Sequence, residues 1–329
     1  MSSELSSQYQ MKTDKQHILD NPDTYIGSIE QVESSEFIFQ DDKLIQKNII
    51  NIPGLYKLFD EGIVNCRDHV IRMKKKSDKT NILQVTYINI TIDNGTITMV
   101  NDGNGIDIAE HPEYKIWIPE LIFGHLRTST NYDKSEKKIV GGKNGFGFKL
   151  VLIWSTYGEV ETIDHIRKLK YVQKFENNLD VIHKAKITKC TTKKPYTKIT
   201  FTPDYKRLGI SNLSEDMVRL FQKRTYDIAG ITDKSIKVKY NGQALPVKGF
   251  EQYINMYIGG KDQTPRVFEE CGERWTIGAC LSPNHEFMQV SFVNGIYTSK
   301  GGKHVDYITQ QIVKKMCALI LKRKKAEVK

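Results

Sequence analysis

Three groups of residues carry side chains at spacings that could do chemistry. Glu61 and Asn65 stand four apart in segment 54–73, whose apolar positions Leu55, Leu58, Phe59, Ile63, Cys66 and Val70 recur at helical spacing. On a helix both side chains leave one face a turn apart, and Asp68 and Arg72 continue the stripe. A carboxylate held there can take a proton from an attacking water. An amide oxygen one turn away can ligate Mg2+ without competing for that proton. Asp102 lies in Asn101-Asp102-Gly103-Asn104-Gly105-Ile106. It can accept a hydrogen bond from an exocyclic amine, and the missing Cβ atoms of its glycines let a planar base approach the backbone. The third group is Gly141-Gly142-Lys143-Asn144-Gly145-Phe146-Gly147, followed by Phe148 and Lys149. Its backbone N–H groups can cradle phosphates, with the lysine as a point charge. Taken singly, each group also suits a plainer role: a solvated helix face, a strand-ending turn, a loop.

The elements that must position these groups follow from periodicity. The helix over 54–73 is followed by β-branched alternation over Ile82–Ile92 and Thr96–Val100, on either side of the hairpin signal Asp93-Asn94-Gly95. The second strand runs into the Asp102 motif, and the glycine run opens a short apolar helix over Lys149–Trp154. Further strands are expected at Lys170–Phe175, Lys198–Phe201 and Ile236–Tyr240. Near Leu245-Pro246-Val247 the pattern restarts, with a helix over Phe250–Tyr257, strands near Trp275–Leu281 and Gln289–Val293, and a basic helix over Tyr307–Lys325. This order implies an α+β fold with domains at 1–246 and 247–329.

Composition narrows the function classes. The 329 residues suffice for two cores. No apolar stretch is long enough to span a bilayer and the polar N-terminus lacks a secretory pattern, so no membrane role is expected. Five scattered cysteines without a C-x-x-C pair, and histidines without ligand spacing, suggest a reducing compartment and no transition-metal site. Lys and Arg number 49 against 39 Asp and Glu, a net charge of +10. The excess is clustered, at Lys74–Lys76, Lys137-Lys138, Lys193-Lys194 and Lys322–Lys325, which favours polyanionic partners. The glycine run fails the G-x-x-x-x-G-K-[ST] spacing, and no G-x-G-x-x-G is completed, so neither a Walker loop nor a dinucleotide fold is expected.

In this order, acid and amide on a helix, then an acidic glycine turn, then a glycine loop opening a helix, the groups resemble the Bergerat-type (GHKL) ATPase fold. Longer runs narrow the resemblance: Pro22–Ser28 (PDTYIGS), Ile118–Asp133 (IPELIFGHLRTSTNYD), GGKNGFGFK and Gln289–Tyr307 (QVSFVNGIYTSKGGKHVDY). Together they resemble the N-terminal ATPase region of eukaryotic-type type II DNA topoisomerases, from about Tyr9 to Lys325. The resemblance implies ATP as ligand with Mg2+, Glu61 as general base and Asn65 as Mg2+ ligand. It further implies Asp102 reading the adenine amine, Ser129, Thr130 and Asn131 contacting ribose and phosphates, and Gly142, Lys143, Asn144, Gly145, Phe146, Gly147, Phe148 and Lys149 wrapping the triphosphate. Tyr9 stands where a family tyrosine reaches the nucleotide of a second copy, and Lys322, Arg323, Lys324 and Lys325 resemble a segment facing captured double-stranded DNA.

The function so implied is an ATP-driven dimerising gate that captures a duplex for the DNA-cleavage core of the same enzyme. Its location would be nuclear in a cell, or the virion or replication compartment of a virus. His69 and Cys66 stand where the family usually has Asn and Ala, Phe148 replaces a small residue, and Asp102 looks like the gyrase arrangement. No E-G-D-S-A motif, cleavage tyrosine region or Q-T-K loop occurs in the sequence. On that resemblance the second domain is the start of a transducer domain. The alternative is a non-catalytic or weakly active DNA-binding or dimerisation fragment of the same fold.

Overall fold

The computed structural model describes residues 12–76, 80–126, 147–272, 274–282 and 285–324. It divides into two compact units between Thr264 and Pro265. The pattern restart at residue 247 lies before that division, because the helix following it packs by its contacts into the first unit.

In the first unit, short helices α1 (Asp14–Asp20) and α2 (Pro22–Tyr25) lead into a hairpin, β1 (Val32–Gln40) and β2 (Lys43–Asn51). Asp41 and Asp42 both adopt positive φ in its two-residue turn, the geometry that matches strand twist. The expected helix is α3 (Pro53–Lys75), opened by Pro53 at its first position and closed by Arg72, Lys74 and Lys75, which favour the dipole's negative end. Strands β3 (Tyr87–Asp93) and β4 (Thr96–Asp102) flank the Asn94-Gly95 turn. The strand expected from Ile82 begins only at Tyr87. Leu83 N donates to Asn104 Oδ1 at 2.7 Å and Thr86 N to Asp102 Oδ1 at 2.7 Å, so side chains rather than a ladder satisfy this stretch.

Helices α4 (Ile118–Gly124) and α5 (Gly147–Ile153) precede β5 (Ser155–Asp164), β6 (Leu169–Glu176), β7 (Val181–Ile182), β8 (Lys186–Lys189) and β9 (Tyr196–Pro203). Then come α6 (Glu215–Gly230), β10 (Lys237–Tyr240), β11 (Gln243–Ala244) and α7 (Phe250–Ile258). The main sheet runs β11-β10-β3-β4-β9-β5-β6-β7, with β8 also on β6. Its pairs are antiparallel except β10 with β3.

Burial alternates along β4: Ile97, Met99 and Asn101 are buried, while Thr96, Thr98, Val100 and Asp102 are half-buried. The first set lies under the helices, for Met99 sulfur sits against Gly62 of α3. The other face carries hydroxyl pairs, Thr96–Thr202 at 3.0 Å and Thr98–Thr200 at 3.2 Å. The β1–β2 hairpin lies against α6 and α7, with Phe39 stacked on Tyr226 and Phe37 edge-on to Tyr257.

The second unit holds hairpins β12 (Arg266–Cys271)–β13 (Trp275–Cys280) and β14 (Phe292–Val293)–β15 (Ile296–Tyr297), and the long helix α8 (Lys303–Lys324). The helix starts before the expected Tyr307. His304 Nε2 meets Ser291 Oγ at 3.1 Å and Thr298 Oγ1 at 3.2 Å, tying its first turn to the hairpin.

Candidate active site

The stripe expected on α3 is present. Glu61 and Asn65 are both half-buried, and Asn65 Nδ2 donates to the Glu61 carbonyl at 2.7 Å, leaving the amide oxygen as an acceptor. Lys57 Nζ pairs with Glu61 Oε1 at 2.5 Å. Glu61 Oε2 lies against Gly147, the first residue of α5, where a Cβ would collide with it and would stand 3.7 Å from Asn65 Nδ2. The glycine run therefore ends directly on the acid–amide pair, in a cradle that any side chain would fill.

Lys149 follows on α5, 2% exposed, and burial pulls its amine down to about 8. Phe148 turns the other way. Its ring is buried edge-on to Phe123 and Phe201, near Gly62, so only its backbone can serve a ligand at the glycine loop. His69 extends the stripe one turn beyond Asn65. It hydrogen-bonds the backbone at Asn104, burial holds its pKa down at about 4, and Nε2 has no protein partner among the described residues.

Asp102 departs from the expectation. Its Oδ1 accepts from Thr86 N at 2.7 Å and Tyr87 N at 2.9 Å, and its Oδ2 from Thr86 Oγ1 at 2.5 Å. The carboxylate thus fastens the entry to β3, on the sheet face away from α3. Asn101, 7% exposed, shares the helix-facing side with Ile97 and Met99. Its Nδ2 donates to the Asp102 carbonyl at 3.1 Å, so Oδ1 remains as acceptor. Asn101 is thus a candidate that sequence reasoning did not single out, although the two-residue period of β4 carried the signal.

Gly105 closes the same region: a Cβ there would strike the Ile163 carbonyl and stand 2.8 Å from Thr162 Oγ1. The Asp102 motif's second glycine is thus required by the approach of β5.

A solved structure of the ATPase region of Saccharomyces cerevisiae topoisomerase II is 41% identical and superposes with a TM-score of 0.87, covering 97% of this chain and 82% of that one. The chain belongs to this family, the ATPase region of type II DNA topoisomerases. DNA topoisomerase 2 of Arabidopsis thaliana is 42% identical over 98% of the chain and 22% of its own length, and that of Acanthamoeba polyphaga mimivirus 42% over 98% and 25%. The chain thus spans about a fifth to a quarter of these relatives. A family model described as DNA gyrase B matches residues 249–329. The 43K ATPase domain of Thermus thermophilus gyrase B, 16% identical at a TM-score of 0.53, shares the fold.

As a topoisomerase ATPase region, the chain has the α+β GHKL architecture expected from its motif order. Glu61, Asn65 and Gly147 are brought together where α3 meets α5, and Lys149 follows, buried, two residues along α5. Tyr9, Ser129, Thr130, Asn131, Gly142, Lys143, Asn144, Gly145, Phe146 and Lys325 lie outside the described residues. Lys322 and Arg323 are exposed at the end of α8, which Lys324 terminates. No helix among the described residues is long and apolar enough to cross a membrane.

A magnesium ion fits the donor set. Mg2+ keeps most of its waters and takes one or two protein oxygens plus substrate phosphates. Asn65, whose side-chain amide borders the Gly147 cradle, carries one such oxygen.

Proposed function

We propose that this chain binds ATP with Mg2+ and hydrolyses it, as the gate module of a type II DNA topoisomerase. The observation that carries the reading is the meeting of Glu61, Asn65 and Gly147 at the junction of α3 and α5. Glu61 Oε2, on the glycine side and away from Lys57, accepts the proton of the attacking water. Asn65 would hold Mg2+, which when bound would neutralise charge developing on the phosphates. Lys149 adds positive charge beside them. Asn101 Oδ1 accepts from the adenine amine, the role expected of Asp102.

The segment outside the described residues completes the site on this reading: Ser129, Thr130 and Asn131 contact ribose and phosphates, and Gly142 to Phe146 wrap the triphosphate. Two copies then close on ATP, each lending Tyr9 to the other. The closed pair traps double-stranded DNA against Lys322 to Lys325 and passes it to the DNA-cleavage core, in a nucleus or a viral compartment. Residues 1–246 form the ATP-binding domain and 247–329 the start of a transducer.

Mg2+-dependent phosphate release by the purified chain, with and without duplex DNA, tests the reading. Nucleotide binding without any release would reduce it to the non-catalytic alternative.

A further inference from the structure

One residue before Glu61, Asp60 turns into the helix layer. Its Oδ1 accepts from Arg224 Nε of α6 at 2.6 Å; Arg224 is 0% exposed and Asp60 7%. The preceding residue, Phe59, stacks on Phe221 of α6 with centroids 4.2 Å apart and planes within 2°. Two consecutive residues of α3 are therefore clamped to two residues of α6 one turn apart. Behind Arg224, Asp227 lies 3.6 Å from Nη1 and takes Lys223 Nζ at 3.0 Å and the Tyr253 hydroxyl at 2.6 Å. Burial works against the guanidinium's charge, and the Asp60 and Asp227 carboxylates outweigh it.

Stability alone is a poor account of such a cluster. Apolar side chains of the same volume usually hold a core as well as a buried ion pair does, or better. A charged pair adds direction, because a guanidinium nitrogen and a carboxylate meet only in a narrow geometry. We propose that Arg224 is a positioning residue for ATP hydrolysis, fixing the rotation of α3 through Asp60 so that Glu61 faces the water site. The proposal rests on the reading of Glu61 as the base. Side chains stand about 5–6 Å from a helix axis, so a turn of about 10° moves the Glu61 carboxylate by roughly 1 Å. A misplacement of that size costs about 100-fold in rate. Nucleotide affinity depends on many other contacts and is spared.

The test is the double variant Asp60→Leu/Arg224→Met, which replaces the pair by apolar side chains and leaves Lys223 to balance Asp227. Three quantities are read: the thermal midpoint, the affinity for a non-hydrolysable ATP analogue, and single-turnover hydrolysis of radiolabelled ATP. The expected result is a midpoint near the parent's, affinity within about threefold, and hydrolysis slower by about 10- to 100-fold. Parental hydrolysis in this variant, or rate and affinity falling in step with the midpoint, overturns the proposal. If the double variant does not fold, Arg224→Lys decides on the same readouts, since it keeps the charge and loses the geometry. Glu61→Gln is measured alongside: normal hydrolysis there sinks the base reading, whereas a dead Glu61→Gln beside a fully active double variant sinks only the role of Arg224.

Discussion

Gly147 abuts the Glu61 carboxylate so closely that even a methyl group at its Cα would overlap Oε2. The first residue of α5 and the acid of α3 thus share one space, and Asn65 borders it. Gly147→Ala must push the carboxylate aside or shift α5. Hydrolysis is expected to fall at least about tenfold, since small displacements of a catalytic group are costly. Undiminished phosphate release by Gly147→Ala would show that Glu61 is not used in the position observed.

Glu61→Gln keeps the shape of the side chain and removes the base. ATP binding should persist while hydrolysis falls by about 10²–10⁴-fold. Near-normal turnover in this variant would mean that another group takes the proton.

On the proposed reading Asn101 and Asp102, though neighbours, have separate tasks, and their variants should part accordingly. Asn101→Ala removes the acceptor on the helix-facing side and should weaken ATP binding by about 1–3 kcal/mol with little change in thermal midpoint. Asp102→Asn leaves Thr86 N and Tyr87 N with a weaker acceptor and should lower the midpoint more than the affinity. Calorimetric titration with ATP settles the matter; a large affinity loss confined to Asp102→Asn would restore that residue to the adenine.

These two residues mark where the sequence was legible and where it was not. The α3 stripe could be read because a 23-residue helix repeats its period several times, and the Glu61–Asn65 pair came with it. The Asp102 motif could be located, but ranking its residues by charge singled out Asp102, which lies on the sheet face away from α3. The strand's period of two puts Asn101, not Asp102, under α3. Hairpin β1–β2 was missed because Glu33, Glu36, Lys43 and Lys47 break its apolar alternation; its contacts come from α6 and α7, far along the chain. The Asp60–Arg224 pair was unreadable for the same reason, being 164 positions apart.

The end of α8 offers Lys322 and Arg323 to solvent, with Lys324 and Lys325 following in sequence. Their contacts with duplex DNA should be to phosphates, hence independent of sequence and strongly salt-dependent. Replacing all four by Ala should flatten the slope of log affinity against log salt by roughly 0.9 per lost contact. An unchanged slope would mean that these residues only solvate the helix end.

At the proposed phosphate site Lys149 should make nucleotide binding depend on pH, with a sign that separates it from a stability effect. Burial lowers its amine to about 8, so in the free protein it is charged at pH 7 and loses its proton as the pH rises through 8. Phosphate favours the charged form, so affinity should be full below about pH 7 and fall above 8, by at most about tenfold per pH unit for one proton. Stability moves the other way. The unfolded chain keeps this lysine protonated up to about pH 10.4. Between 8 and that value it binds more protons than the folded one, and this group's contribution to stability rises with pH. A loss of binding caused by unfolding would therefore not originate at Lys149. Lys149→Arg keeps its charge throughout and should give a flatter profile between pH 7 and 9, measured by titration with a non-hydrolysable analogue. Parallel profiles for the two proteins would remove Lys149 from the phosphate site.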